Sequence, residues 1–169
     1  MLIKYSDVLS PALHAECWNH LKTPNWQFGV TSHPNQSLSW LWKMDLNTNE
    51  FFTTTFFNEI QNLFEDNYTL VGIHANLQTN DLPALPHTDH EDGVTTHSFI
   101  YFANLEWKKA WGGRLIFWRK INDEPTEQTL SPIPNTGVLF DATIRHMADS
   151  PNQLTRQPRI SVAFKLKKI

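Results

Sequence analysis

The sequence predicts a mainly β protein with flanking helices, an antiparallel double-sheet roll (jelly roll) with its N-terminal helices packed on one outer sheet face. Two observations predict it. Helical patterning is confined to the first 67 residues, and the remainder is a series of short β-like runs separated by turn residues. The 169 residues suffice for one such domain and leave no room for a second core. Residues 1–169 are therefore read as a single domain, with 1–67 a helical buttress and irregular segment and 68–169 the roll.

The first helix is expected over about residues 10 to 22, where Ser10 and Pro11 form an N-cap with proline at the first helical position. Leu13, Cys17 and Leu21 follow at spacing four and define its apolar face. A second helix is expected from Thr53 to Asp66, with Phe56, Ile60, Leu63 and Phe64 forming a stripe that packs on a sheet. Between them, Trp26 to Leu46 has no clean period and reads as short strands or loops; Trp26, Trp40 and Trp42 are assigned to packing or to the rim. Strands are expected at 68–78, 96–104, 113–119, 128–132, 136–141 and 159–167, divided by turns such as Asn80-Asp81, Asp92-Gly93 and Asn135-Thr136-Gly137. In Trp111-Gly112-Gly113 the glycines are read as a tight strand entry.

Composition removes several function classes. Lys and Arg total 14 against 17 Asp and Glu, a net charge of −3 that offers no footprint for nucleic acid. No run of apolar residues is long enough for a membrane span, and the expectation is a soluble, cytoplasmic protein. One cysteine, Cys17, excludes an intrachain disulfide and a thiolate-rich zinc site, so a bound metal would take nitrogen and oxygen ligands. Eight histidines supply candidates.

The segment Leu85 to Asp92 is the most informative. His87 and Asp89 stand two apart, so on an extended backbone both side chains leave one face and can reach one metal. The pair His90 and Asp92 has the same spacing, but it runs into Gly93 and reads as turn, whereas His87 follows an apolar stretch. His97 is read as a surface residue at a strand start. His146, which follows the run Val138 to Asp141, supplies the third ligand. Two imidazoles and one carboxylate leave coordination positions open, the arrangement of non-haem Fe(II) oxygenases. On the last strand Ile160, Val162, Phe164 and Leu166 share one face, while Arg159, Ser161, Ala163 and Lys165 share the other. That second face joins a cation to small residues and suits a small anionic ligand.

In this order the pieces resemble the 2-oxoglutarate and Fe(II)-dependent dioxygenases, in particular their prolyl 4-hydroxylase-like branch. The matching stretches are His87-Thr88-Asp89, Phe99 to Asn104 with Trp107, Trp111 to Phe117, Pro134 to Phe140, His146, and Arg159 to Phe164. The resemblance implies a double-stranded β-helix and Fe(II) held by His87, Asp89 and His146. It further implies 2-oxoglutarate held through its far carboxylate by Arg159, with Tyr101 adding a hydroxyl near the same co-substrate. The reaction implied is hydroxylation of an unactivated C–H bond with O2, in a prolyl-type peptide or free amino acid, with succinate as co-product. Alternatives are oxidative demethylation of nucleic acid on the same centre, against which the acidic balance speaks, and a non-catalytic jelly-roll module that binds a metal or small acid. In the family the basic residue usually lies closer to the second histidine; here Arg156 is ten positions after His146 and Arg159 thirteen. Arg159 is chosen because it opens the alternating strand, whereas Arg156 precedes Gln157-Pro158, and proline is disfavoured within a paired strand. Arg145 and Lys120 are read as solvated surface cations and Cys17 as inert.

Overall fold

The computed structural model describes residues 1–29, 41–80, 83–121 and 124–169. The chain begins with β1 (Leu2–Tyr5), followed by α1 (Pro11–Leu21), β2 (Gln27–Phe28) and β3 (Trp42–Asp45). A π-helical turn, Phe51–Phe56, leads into α2 (Phe57–Leu63). The roll follows as β4 (Tyr68–Gln78), β5 (His97–Phe102), β6 (Leu115–Ile121), β7 (Glu124–Leu130), β8 (Gly137–Asp141), β9 (Arg145–Ala148) and β10 (Arg159–Lys168).

Two antiparallel sheets make the roll. The larger has the order β1-β8-β5-β10-β4-β3-β2, and the smaller has the order β7-β6-β9. Helices cover the outer face of the larger sheet, as expected. The core there joins Cys17 and Leu21 of α1 and Phe52, Phe56 and Ile60 to Ile73, Phe99, Tyr101, Val162 and Phe164 of the strands. Between the sheets lies a second core of Ile100, Phe102, Leu115, Phe117, Val138, Phe140 and Ala163. Strands β5, β8 and β10 therefore serve both compartments, because side chains alternate.

The expected helices and strands occur with informative differences. Ser10 caps α1, its hydroxyl accepting from the Leu13 amide at 3.3 Å. The second helical segment begins earlier than Thr53 and stops at Leu63, since Phe64 is extended with ψ 143°. Phe56, Ile60 and Phe64 are buried as the stripe requires, but Leu63 is 36% exposed on the last turn. Strand β7 starts at Glu124, ahead of the expected 128, because its polar residues are held by pairing with β6 and not by burial. β1, β3 and β9 carry too few residues for a period to be read, and each forms by docking on a longer partner. Trp40, Asp81 and Leu82 lie outside the described residues. Trp42 is an exposed rim residue whose ring meets Phe28 at 5.0 Å, and Trp26 donates to the Leu21 carbonyl at 3.1 Å.

Phe56 holds the helical layer on the sheet: it is fully buried, edge-on to Tyr101 at 4.8 Å and to Phe164 at 5.0 Å. Phe56→Ala is expected to lower unfolding free energy by about 3–5 kcal/mol, through lost transfer energy and the cavity left behind. Urea titration checks this, and a loss below about 1 kcal/mol would show that the helices are not anchored there.

Candidate metal centre

The site is built where the smaller sheet's edge meets the segment before β5. His87 and His146 form an isolated antiparallel bridge, each amide donating to the other's carbonyl at 2.9 Å. The Asp89 amide donates to the Ala142 carbonyl at 2.8 Å, tying the segment to the turn before β9. These bonds bring together three residues separated by up to 59 positions, and their ligand atoms lie within 4.8 Å of one another.

Orientation of the donors is fixed locally. The His87 Nδ1 lies 2.9 Å from the Leu85 carbonyl and the His146 Nδ1 3.0 Å from the Ile144 carbonyl. A carbonyl only accepts, so Nδ1 carries the hydrogen in both rings and Nε2 is left as the metal-facing atom. The two Nε2 atoms stand 3.5 and 3.7 Å from the Asp89 carboxylate. Ser98 donates to Asp89 Oδ2 at 2.6 Å, and the Lys165 ammonium contacts Oδ1.

Electrostatics favour an ionised Asp89 beside a neutral His146. Burial opposes ionisation of Asp89, yet the hydrogen bond with His87 and the attraction of His146 and Lys165 hold its carboxyl well below the ordinary range. Burial pushes His146 down to about 4, keeping its ring neutral near neutral pH. Burial also disfavours protonation of His87, but its hydrogen bonds to Asp89 and Leu85 outweigh that and raise its pKa.

A cavity opens from these residues along the inner face of β10 and β4, past Ser161, Ala163, Asn76 and Gln78, to Arg159. Arg159 is 1% exposed. Its Nε donates to the Gly113 carbonyl at 2.8 Å, and Nη1 donates to Gln78 Oε1 at 3.0 Å and to Ser161 Oγ at 3.2 Å. Nη2 is buried and has no hydrogen-bond partner among the described residues. Burial pulls its pKa down to about 10, which leaves the guanidinium charged at neutral pH. A buried cation with one amino group unanswered is an incomplete site, because desolvated donors are normally paired.

Of the residues expected from sequence, His87, Asp89, His146 and Arg159 line this cavity. Tyr101 does not, and that expectation is corrected. It pairs with Val162, which faces the helices, so its ring points away from the roll interior. Its hydroxyl contacts His14 Nδ1 and donates to Asn135 Oδ1 at 3.0 Å; Asn135 in turn holds both the amide and the carbonyl of Leu9. Tyr101 thus fastens the start of α1 to the turn before β8. Asp92 is spent on the Val94 and Thr95 amides and the Thr95 hydroxyl, and His90 Nδ1 meets the Thr95 carbonyl, so the second pair is a turn. His97 begins β5 but is buried and not on the surface, where it meets Asp141 at 3.2 Å, while Arg156, Arg145 and Lys120 are exposed. Sequence reasoning missed Ser98, Gln78, His74 and Lys43, and gave Lys165 a face but no role.

The donor set fits a divalent metal that prefers imidazole and carboxylate ligands, and Arg159 fits a carboxylate. A profile of the 2OG-Fe(II) oxygenase superfamily matches residues 75–165. The chain belongs to that superfamily, and its cofactors are Fe(II) and 2-oxoglutarate. The fold agrees with solved structures at low identity. A prolyl hydroxylase from Trichoplax adhaerens, in complex with a hypoxia inducible factor peptide fragment, superposes with TM-score 0.75 at 13% identity over 98% of this chain and 83% of that one. A Pseudomonas putida prolyl-4-hydroxylase gives 0.71 at 14% identity over 99% and 92%. The collagen prolyl hydroxylase of Paramecium Bursaria Chlorella virus-1, in its 2OG complex, gives 0.67 at 11% over 99% and 96%. No curated protein sequence matches the chain.

The floor under Arg159 depends on Gly113, whose φ is +70° and where an added Cβ would lie 3.0 Å from Arg159 Cδ and 3.1 Å from Trp107 Cζ2. Gly93 has the same φ of +70° and open space around it. Both Gly113→Ala and Gly93→Ala carry a backbone cost of about 1–3 kcal/mol. Denaturant titration is expected to show the larger loss for Gly113→Ala, by the added contact; equal losses would mean that Arg159 and Trp107 yield freely.

Proposed function

We propose that this protein is a 2-oxoglutarate- and Fe(II)-dependent hydroxylase acting on an unactivated C–H bond of a prolyl-type peptide or free amino acid. The observation that carries the reading is the convergence of His87, Asp89 and His146 within 4.8 Å. They lie on one cavity with a buried arginine whose Nη2 is unpaired.

In this reading His87 Nε2, Asp89 and His146 Nε2 hold the iron. The carbonyls of Leu85 and Ile144 keep each ring in the ligating tautomer, and Ser98 keeps the carboxylate turned toward them. Arg159 receives the far carboxylate of 2-oxoglutarate on Nη2, with Gln78, Ser161 and the Gly113 carbonyl fixing the plane of the guanidinium. Ile100, Leu115 and Ala148 give the cavity apolar walls that exclude water from the reacting centre. Iron bound with 2-oxoglutarate and O2 supplies the oxidising power for hydroxylation, with succinate and CO2 as co-products. The prolyl hydroxylases of the same fold support a prolyl-type substrate. The net charge of −3 argues against nucleic acid.

A screen of peptides, amino acids and nucleotides for substrate-stimulated, Fe(II)-dependent succinate formation tests the reaction class. Asp89→Ala is expected to abolish both Fe(II) binding and turnover, whereas Asp92→Ala spares both; the reverse pattern would exchange the ligand pair. Arg159→Ala should raise the KM for 2-oxoglutarate roughly ten- to a hundredfold, the loss of about 1.5–3 kcal/mol of charge-assisted bonding. Arg156→Ala should leave it within about twofold, because the exposed side chain reaches nothing in the cavity. Equal effects of the two arginine variants would overturn the Arg159 role.

A further inference from the structure

We propose that the molecule hydroxylated carries a carboxylate, and that Lys43 of β3 and Lys165 of β10 hold it at the end of the cavity away from Arg159. The inference rests on the metal and co-substrate roles above and adds the chemical class of the substrate.

Strand register puts the two lysines on the inner face. Lys43 pairs with Asn76 and Asn76 with Ser161, both of which line the cavity. Lys165 pairs with Gly72 on one side and Ser98 on the other. Partners in register point to the same side of a sheet, so Lys43, Asn76, Ser161 and Lys165 share one wall. Lys43 and Lys165 also line a hollow that shares His74 and Lys165 with the metal cavity, making one continuous trough. Along β10, Arg159 and Lys165 are six residues apart, roughly 20 Å at a strand's rise. The trough therefore has a cation at each end and the three ligands along its length.

Charge accounting separates the two ends. Arg159 and a divalent metal together balance Asp89 and the two carboxylates of 2-oxoglutarate. Asp89, the acid that Lys165 contacts among the described residues, is then committed to the metal. Lys43 makes no hydrogen bond or ion pair with a described residue. Asp45, nearest to it in the strand and lining the same hollow, turns Oδ1 to the Asn47 amide at 2.8 Å and side chain at 2.7 Å and attracts Lys43 without contacting it. Burial and the repulsion of Lys165 hold the Lys43 pKa below its ordinary value, against the attraction of Asp45 and Asp89. With Asp89 committed to the metal and Asp45 opposing one of the two ammonium groups, the hollow keeps one net positive charge, which a ligand carboxylate would balance.

The test uses the full chain with Fe(II) and 2-oxoglutarate. Free L-amino acids, N-acetyl dipeptides with a free C-terminus, and the carboxamide of each are compared for stimulation of succinate formation. A carboxylate probe is expected to stimulate, with its carboxamide requiring roughly tenfold more or failing. Lys43→Gln should raise the KM of that probe about tenfold and leave the KM for 2-oxoglutarate within about twofold; Lys43→Arg should restore it, and the exposed Arg145→Gln should match wild type. Anaerobic calorimetry of the same probe into the Fe(II)- and 2-oxoglutarate-loaded protein should show the same loss without turnover. Activity confined to the free amino acids would identify an α-carboxylate, and activity confined to the dipeptides a chain terminus. Carboxamides equal to carboxylates, an unaffected Lys43→Gln, or stimulation by no carboxylate probe would each overturn the proposal. Failure of the underlying reading is separate: wild type would show no Fe(II)-dependent binding of 2-oxoglutarate.

Discussion

The alternation of side chains along β10 is the constraint from which the fold and the cavity both follow. The strand lies in the middle of the larger sheet, paired with β4 on one side and β5 on the other, so neither of its faces is optional. Ile160, Val162, Phe164 and Leu166 bury against the helical layer, and that burial fixes the register. With the register fixed, Arg159, Ser161, Ala163 and Lys165 must face the interior of the roll. A slip of one residue would bury two cations under α1 and α2 and expose the apolar set to the cavity. Hydrophobic burial on one face thus holds charged groups on the other, at positions they would not choose for themselves.

The convergence of His87, Asp89 and His146 depends on backbone bonding more than on the side chains. The two-way amide–carbonyl exchange between His87 and His146 sets the rings 4.5 Å apart between centroids, and Phe117 and Phe140 pack behind His146. Asp89 is anchored by its own amide and oriented by Ser98, which belongs to β5 in the larger sheet. The ligand set therefore bridges both sheets. Lys165 adds a cation to the same carboxylate, so the protein's own groups offset the desolvation of Asp89.

What was legible in the sequence was whatever one strand or one helix decides alone. The His87–Asp89 spacing, the faces of β10 and the Ser10 cap are local patterns, and each is found in the structure. The choice of Arg159 over Arg156 also rested on local features, a proline and alternation, and Arg159 is the one of the two that lines the cavity. What needed the register between strands was not legible. Tyr101 sits two residues from Phe99 in an entirely buried strand, where burial gives no parity, and only its pairing with Val162 assigns it to the helical side. Lys43 lies in a segment without a period, and its place beside the metal cavity comes from four residue pairs between β3 and β4. Gln78 ends β4 as an apparent surface residue, but its pairing with Arg159 buries it to 1% exposure.

The pocket around Arg159 shows how backbone chemistry completes a site that side chains begin. Gly112 and Gly113 both adopt positive φ, a conformation a β-branched or bulky residue resists, and this turns the Gly113 carbonyl onto Arg159 Nε. The Trp107 indole donates to the Gly112 carbonyl at 3.1 Å and closes the same turn, while Phe102 lies 5.3 Å beneath the guanidinium. Four groups thus fix Arg159 in plane and direction, and none of them carries a negative charge. A buried guanidinium whose hydrogen-bond partners are all neutral can take a carboxylate without displacing an acid bonded to it. Had a glutamate stood at Gln78, the arginine would be paired to an internal acid, and the proposed role of Arg159 in holding an anionic co-substrate would be weakened.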